Sequence, residues 1–242
     1  MYTPLPPISE IWVYLSGSPL LALVLTLSAY LLGLTLYERS QRNPLANPVL
    51  IAVVMVTLSI SILDMPYAKY FEGAQFVHFL LGTATVSLAI PIYKGFASLK
   101  GRIVVLLLSL LAGGITSVFT AVGIARWLGV DPSLVRGLVA KSVTAPIAMG
   151  IAERVQASPT LTAIFAVSTG ILGAVLGRYV LDALRVTDWW QRGFALGVAA
   201  HGIGTSRAFS VHPEAGAYAS LGMGLHGIIG ALVIPYAVAW WF

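Results

Sequence analysis

The residues best suited to chemistry lie in two short polar stretches, "KSVTAPIAMG" at 141–150 and "HGIGTSR" at 201–207, each flanked by apolar sequence. In the first, Lys141 supplies a positive charge and Ser142 and Thr144 supply hydroxyls. Pro146 removes a backbone donor and disfavours helix at Ala145. In the second, Gly202 and Gly204 weaken a helix and let a backbone or ligand approach closely. His201 adds a ring that titrates near neutrality, Arg207 a fixed charge, and Thr205 and Ser206 two more hydroxyls. The N–H groups freed where a half-helix starts are ready anion sites. Small donors and a few cations around a broken helix suit a small carboxylate better than a bulky apolar drug or a bare cation. The candidate binding set is therefore Lys141, Ser142, Thr144, Ala145, Pro146, His201, Gly202, Gly204, Thr205, Ser206 and Arg207.

Each charged member also has a plainer reading. Lys141 follows Arg136 by five residues, so its ammonium can snorkel to an interface. Arg207 can close its segment at a headgroup surface, and a neutral His201 can be satisfied by neighbouring carbonyls. His78 and His226 lie in ordinary apolar runs and read as packing or interhelical hydrogen bonds. The chain has no cysteine, which excludes disulfides, thiolate metal sites and thiol nucleophiles. It contains neither HExxH nor GxSxG, "HPE" at 212–214 lacks the cysteines of a zinc deaminase, and nothing isolates one serine as activated. No enzyme activity, metal or cofactor is expected.

The elements that must position these residues belong in a bilayer. Hydrophobic residues make up 58% of the 242 and charged residues 10%, against about 25% charged in a soluble domain. The mean hydropathy is +0.89. Charge-free runs cover 20–37, 43–63, 73–93, 103–125 and 155–177, and the run from Ala215 to Phe242 carries only His226 among charged or imidazole side chains. About 20 apolar residues span a bilayer core. The expectation is an all-α polytopic membrane protein with about 6–8 hydrophobic segments. "MYTPLPPISEIWVYLSGS" at the N-terminus has no basic start and does not read as a cleavable signal. The net charge of +5 is explained by basic loops facing the cytoplasm, with no nucleic-acid partner.

Loop charge gives an orientation. Arg39 and Arg42 outweigh Glu38, and Lys94, Lys100 and Arg102 stand without an acid, so these two loops face the cytoplasm. A later cluster, Arg178, Arg185 and Arg192 against Asp182 and Asp188, falls on the same side if the segment near 134–152 is a hairpin. It falls on the other side if that segment crosses. The hairpin is preferred, with an unwound crossing helix as the alternative. An internal repeat supports treating 134–242 as one unit. "VRGLVAKSVTAPIAMGIAERV" at 135–155 resembles "QRGFALGVAAHGIGTSRAFSV" at 191–211, and "STGILGAVLG" at 168–177 resembles "LHGIIGALVI" at 225–234, at offsets of 56 and 57 residues. Each copy is a broken or re-entrant segment followed by one spanning helix, and two such copies form an inverted repeat. Paired interrupted segments of this kind mark the binding site of many transporters. The expected division is 1–125, scaffold and oligomerisation helices, and 126–242, a repeat-containing transport domain of elevator-like architecture.

Several blocks carry a family resemblance: "LVAKSVTAPIAMGIAERV", "HGIGTSRAF" and "EAGAYASLGMGLHGI", with "NPLANPVLIA" and "LLGTATVSLAIPIY" before them. In this order they resemble the LrgB/CidB family of bacterial membrane proteins from Asn43 to Ile228. Thr83 and Ala140 stand where the family often has proline. The resemblance implies two functions. Bacterial members are named as holin-like or antiholin-like regulators of murein hydrolase export and autolysis that work with an LrgA/CidA-type partner. A plant relative in which both parts are fused transports glycolate and glycerate, and some bacterial pairs are linked to pyruvate uptake. The expectation is a multi-pass protein of the bacterial inner membrane, homo-oligomeric (a dimer), with a separate LrgA/CidA-type partner. It is expected to carry glycolate-, glycerate-, pyruvate- or lactate-like monocarboxylates by alternating access. The holin-like role is the alternative.

Overall fold

A computed structural model describes residues 19–87, 90, 93 and 101–241. The N-terminal stretch with Glu10, and Pro91, Lys94 and Lys100, lie outside the described residues. Nine α-helices and no strands occur among those described. The chain forms two compact units that divide between Ser87 and Leu88.

The first unit holds α1 (Pro19–Arg39), α2 (Pro48–Ile62) and α3 (Tyr67–Ser87), with a short 3-10 turn at Pro44–Ala46. Helix α1 ends where Gln41 and Arg42 take positive φ. Asn47 starts α2: its side-chain oxygen accepts from the N–H groups of Val49 (3.0 Å) and Leu50 (3.1 Å), and Pro48 occupies a position where no N–H is needed. Gly33 admits the Pro48 carbonyl, since a Cβ there would lie 2.8 Å from that oxygen. Thr26 and Tyr70 join α1 to α3 through a 2.7 Å hydroxyl pair.

The second unit holds α4 (Ile103–Trp127), α5 (Pro132–Leu138), α6 (Ala145–Arg154), α7 (Pro159–Ala183), α8 (Trp189–Val211) and α9 (Pro213–Trp241). By length and composition α1, α4, α7 and α9 are long and apolar enough to cross a membrane. A 25-residue helix is about 37 Å long at 1.5 Å per residue, more than the roughly 30 Å hydrocarbon core. Large apolar side chains such as Leu108, Ile115 and Phe119 on α4 and Leu232, Val233 and Tyr236 on α9 face outward, the pattern of a lipid-facing surface. By packing, α4 belongs with the second unit rather than with the helices before it.

Contacts fix the directions within this unit. The first turns of α4, at Leu106 and Leu110, pack with Phe194, Tyr218 and Leu221. Its last turns, at Val122 and Ala125, pack with Val135, Ile151 and Val155. One end of the unit therefore carries Arg102, the loop after α7 and the start of α9. The other carries the start of α5 and the loop from α6 to α7. Arg102 donates to the Tyr218 hydroxyl (3.1 Å) and lies over the Trp190 ring, which holds the first end together.

Both interrupted segments turn back on themselves. In α8 the turn is at His201, whose φ of 41° and ψ of −130° are not helical. A methyl on Gly204 would lie 2.6 Å from the Leu196 carbonyl oxygen, whereas residues eight apart in a straight helix are about 12 Å apart. The two arms lie along the same part of α9 in opposite senses. Gly193 and Gly197 on the inward arm abut Ala215 and Ala219, while Thr205 and Phe209 on the return arm meet Met223 and Gly216. In the first segment Val139–Thr144 separates α5 from α6. Gly137 abuts Thr162 and Phe165 in the first turns of α7, which a full crossing would place at the opposite end. By these contacts both segments have the form of a hairpin within the second unit. The residue at the second turn differs from the sequence expectation, however. Gly202 and Gly204 keep negative φ and His201 bears the unusual backbone, while Gly204 serves the close approach of the arms.

Candidate functional site

The tip of the first hairpin meets α4 at mid-depth. The Lys141 ammonium donates to the hydroxyls of Ser117 (2.8 Å) and Ser142 (3.1 Å), which are themselves 2.7 Å apart. No carboxylate pairs with Lys141 among the described residues. Thr144 precedes α6 in extended conformation and makes no side-chain cap, and its buried hydroxyl has no hydrogen-bond partner. Pro146, in the first turn of α6, has no N–H to satisfy.

Lys141, Ser117 and Ser142 line a cavity of about 870 Å³ between α4, α7 and the inward arm of α8. Its other polar side chains are Ser109, Thr169 and Gln191, and its walls are apolar, with Leu106, Leu172, Leu176, Phe194 and Val198. The cavity runs from the Trp190 end of the unit down to the Lys141 tip. Water-sized space beside a half-buried cation is where an anion would sit, because a charge taken from water needs a counter-charge or full hydrogen bonding.

The second hairpin tip is tied down mostly through backbone. His201 is 4% exposed, and its Nε2–H donates to the Ala166 carbonyl (2.8 Å). A carbonyl can only accept, so Nε2 carries the hydrogen. Thr205 donates to the His201 carbonyl (2.7 Å). His226 on α9 donates from Nδ1 to the Val198 carbonyl (2.8 Å), close to the turn. This is the interhelical bond expected for His226. The side chain of His78 lies outside the described ones.

The structure thus brings together only part of the candidate set. Lys141 and Ser142 line the large cavity, Thr144 is buried beside them, and Ala145 and Pro146 form the start of α6. His201, Gly204 and Thr205 are buried in the second hairpin, bonded to or packed on backbone. Gly202 is half-buried and Ser206 exposed. Arg207 does not reach the Lys141 cavity; it lines a separate one of about 340 Å³ with Arg178 and Arg192. Sequence reasoning missed Ser117 and Thr169. Each is a lone hydroxyl in an apolar helix, and only the packing shows that both face the cavity.

A helical unit with an apolar outer surface, several helices long enough to span a bilayer and two interrupted segments that start from opposite ends defines a polytopic membrane protein. The chain belongs to the LrgB-like family, whose model matches residues 26–240. It is 33% identical to the uncharacterized protein YwbG of Bacillus subtilis (strain 168), over 91% of this chain and 97% of that one. It is 31% identical to the uncharacterized protein YxaC of the same strain, over 92% and 96%. The holin-like protein CidB of Staphylococcus aureus (strain Mu50) is 27% identical over 90% of this chain and 95% of its own length. No solved structure matches the chain.

Proposed function

We propose that this protein carries small organic anions across a bacterial inner membrane by alternating access. The observation that carries the reading is Lys141, a cation without a carboxylate partner among the described residues, set beside two serines on the wall of a half-open cavity. A carboxylate bound there balances the ammonium, and Ser117, Ser142 or Thr169 serves a neighbouring 2-hydroxy or 2-oxo oxygen. The two hairpins form an inverted repeat, and the site opens to either side as the repeat moves relative to the scaffold helices. His201 and His226 each donate to a backbone carbonyl, and on this reading they are the groups that would couple transport to a proton. No bond-making step is part of the reading. A homodimer with an LrgA/CidA-type partner is its assembly.

A second reading has its own support: relatives over nine-tenths of the chain are named holin-like. On that reading the protein, with its LrgA/CidA-type partner, regulates murein hydrolase export and autolysis. The names favour it more directly than they favour carriage. Purified protein in liposomes, loaded with labelled glycolate, pyruvate or lactate, separates the two. Saturable uptake with mutual competition supports the carrier. Non-saturating release of unrelated solutes supports the holin-like pore and sinks the carrier.

A further inference from the structure

The cavity beside Lys141 is larger than a two- or three-carbon acid needs. Its volume of about 870 Å³ lies toward the upper end of the range in which proteins hold drug-sized ligands. Charge is confined to one end of it. Lys141 is the only charged side chain on the lining among the described residues, and it stands there with Ser117, Ser142 and Thr169. The remaining polar side chains, Ser109 and Gln191, lie toward the Trp190 end. Between the two ends the walls are Leu172, Leu176 and Val180 of α7, Val105 of α4 and Phe194 of α8. Leu172 is 58% exposed, Val180 53% and Val105 52%, so the described residues leave this apolar wall open for an occupant.

The charged end lies deep. Ser117 is fourteen residues into α4, about 21 Å along a helix of about 37 Å. The headgroup of a bilayer lipid stays at the interface, so a phospholipid in this groove would set a tail, not its charge, against the ammonium. One cation compensates one negative charge, and a second carboxylate would be stranded among apolar walls. We propose that the Lys141 cavity selects monocarboxylates that carry an apolar tail of several carbons. The carboxylate takes Lys141, Ser117 and Ser142 as partners, and the tail lies along Leu172, Leu176 and Phe194 toward Trp190. The inference rests on the reading of Lys141 as the carboxylate's partner, and adds that two- and three-carbon acids fill only the polar end. A methylene moved from water to a fully enclosing apolar wall contributes about 0.8 kcal/mol, about a fourfold gain in affinity. In a half-open groove the gain is about two- to fourfold.

The test is titration calorimetry of the full chain in phosphatidylcholine nanodiscs with straight-chain 2-oxo acids of three to eight carbons, empty nanodiscs giving the partition background. Affinity should climb about two- to fourfold with each added methylene. 2-Oxoglutarate, a five-carbon chain with a second carboxylate, should bind at least about tenfold more weakly than 2-oxopentanoate. Ala195→Phe, at an exposed position on the groove wall, should cost the eight-carbon acid about tenfold more than it costs pyruvate, the worth of roughly two methylenes. Uptake of labelled pyruvate into liposomes tests the carrier reading by itself. A rising ladder of affinities without saturable uptake leaves the tail site standing and removes the carrier. Saturable uptake with affinities flat from three to eight carbons overturns the tail site and leaves the carrier, and no binding by any acid overturns both. The tail site also falls if 1-octanol displaces the eight-carbon acid as well as that acid displaces itself, or if 2-oxoglutarate binds as tightly as 2-oxopentanoate.

Discussion

Replacing Gly204 with alanine distinguishes a hairpin at α8 from a continuous crossing helix by the sign of the effect. In a straight helix the change helps, since alanine is favoured over glycine by about 1 kcal/mol. In the hairpin the new methyl would lie 2.6 Å from the Leu196 carbonyl oxygen and 2.6 Å from the Ala200 Cβ. A carbon and a carbonyl oxygen approach to about 3.3 Å without strain. The arms must therefore open by roughly 0.7 Å against α9, which packs on both. Forcing an extra methyl into a filled contact costs about 1–3 kcal/mol, so the net effect is roughly 0–2 kcal/mol of destabilisation after the gain in helix propensity. For a chain of this size that is a melting temperature lowered by up to about 8 °C. Gly123→Ala is the matched control, because nothing lies within 4 Å of the added Cβ on the same kind of helix. It should melt at or slightly above the wild type. The readout is intrinsic tryptophan fluorescence on heating in detergent, with size-exclusion profiles to exclude aggregation. If Gly204→Ala melts above the wild type by as much as Gly123→Ala does, the reversal at His201 is wrong.

Further outcomes follow from the same geometry. Single cysteines at 130 and 157 should react with an impermeant thiol reagent from one side of sealed vesicles, and those at 187 and 212 from the other. A full crossing by either broken segment would separate the members of its pair. Lys141→Gln should raise the KM for a carboxylate at least tenfold in the liposome assay, and Ser117→Ala by a smaller factor, since hydrogen bonds to charged groups are worth about 1.5–3 kcal/mol. Unchanged uptake in both variants would remove Lys141 from the site. Asn47→Ala deletes the cap of α2 and should cost about 1 kcal/mol in thermal melts, while Asn47→Asp should restore most of it.

What the sequence made legible follows from which physics is local. Apolar run length is local, so α1, α4, α7 and α9 could be read directly. The two breaks were visible because proline and glycine leave a composition signal in a greasy chain. Which residue turns was not visible. At that turn the His201 ring is bonded to the Ala166 carbonyl on α7, thirty-five residues away in sequence, which no local rule contains. The placement of Arg207 also escaped, because a hairpin sends the return arm to the loop end, away from Lys141. Ser117 is the clearest case. Its type and its neighbours are ordinary, and its position against Lys141 depends on how α4 packs on a hairpin formed later in the chain.

The packing of α8 on α9 has a consequence for the order in which the protein is made. The inward arm rests its bare backbone, at Gly193 and Gly197, on Ala215 and Ala219, and the turn is stitched by His226 to the Val198 carbonyl. All three partners are synthesised after the hairpin they support. Until they arrive, the Val198 carbonyl lacks the His226 bond and the glycine faces of the inward arm lack their cover. A chain that ends at Val211 and is released into membranes should therefore leave a Gly202→Cys thiol more reactive to aqueous reagents than the same thiol in a chain that includes α9. On this packing the hairpin is expected to settle only once α9 is made, which supplies its support from within the same chain.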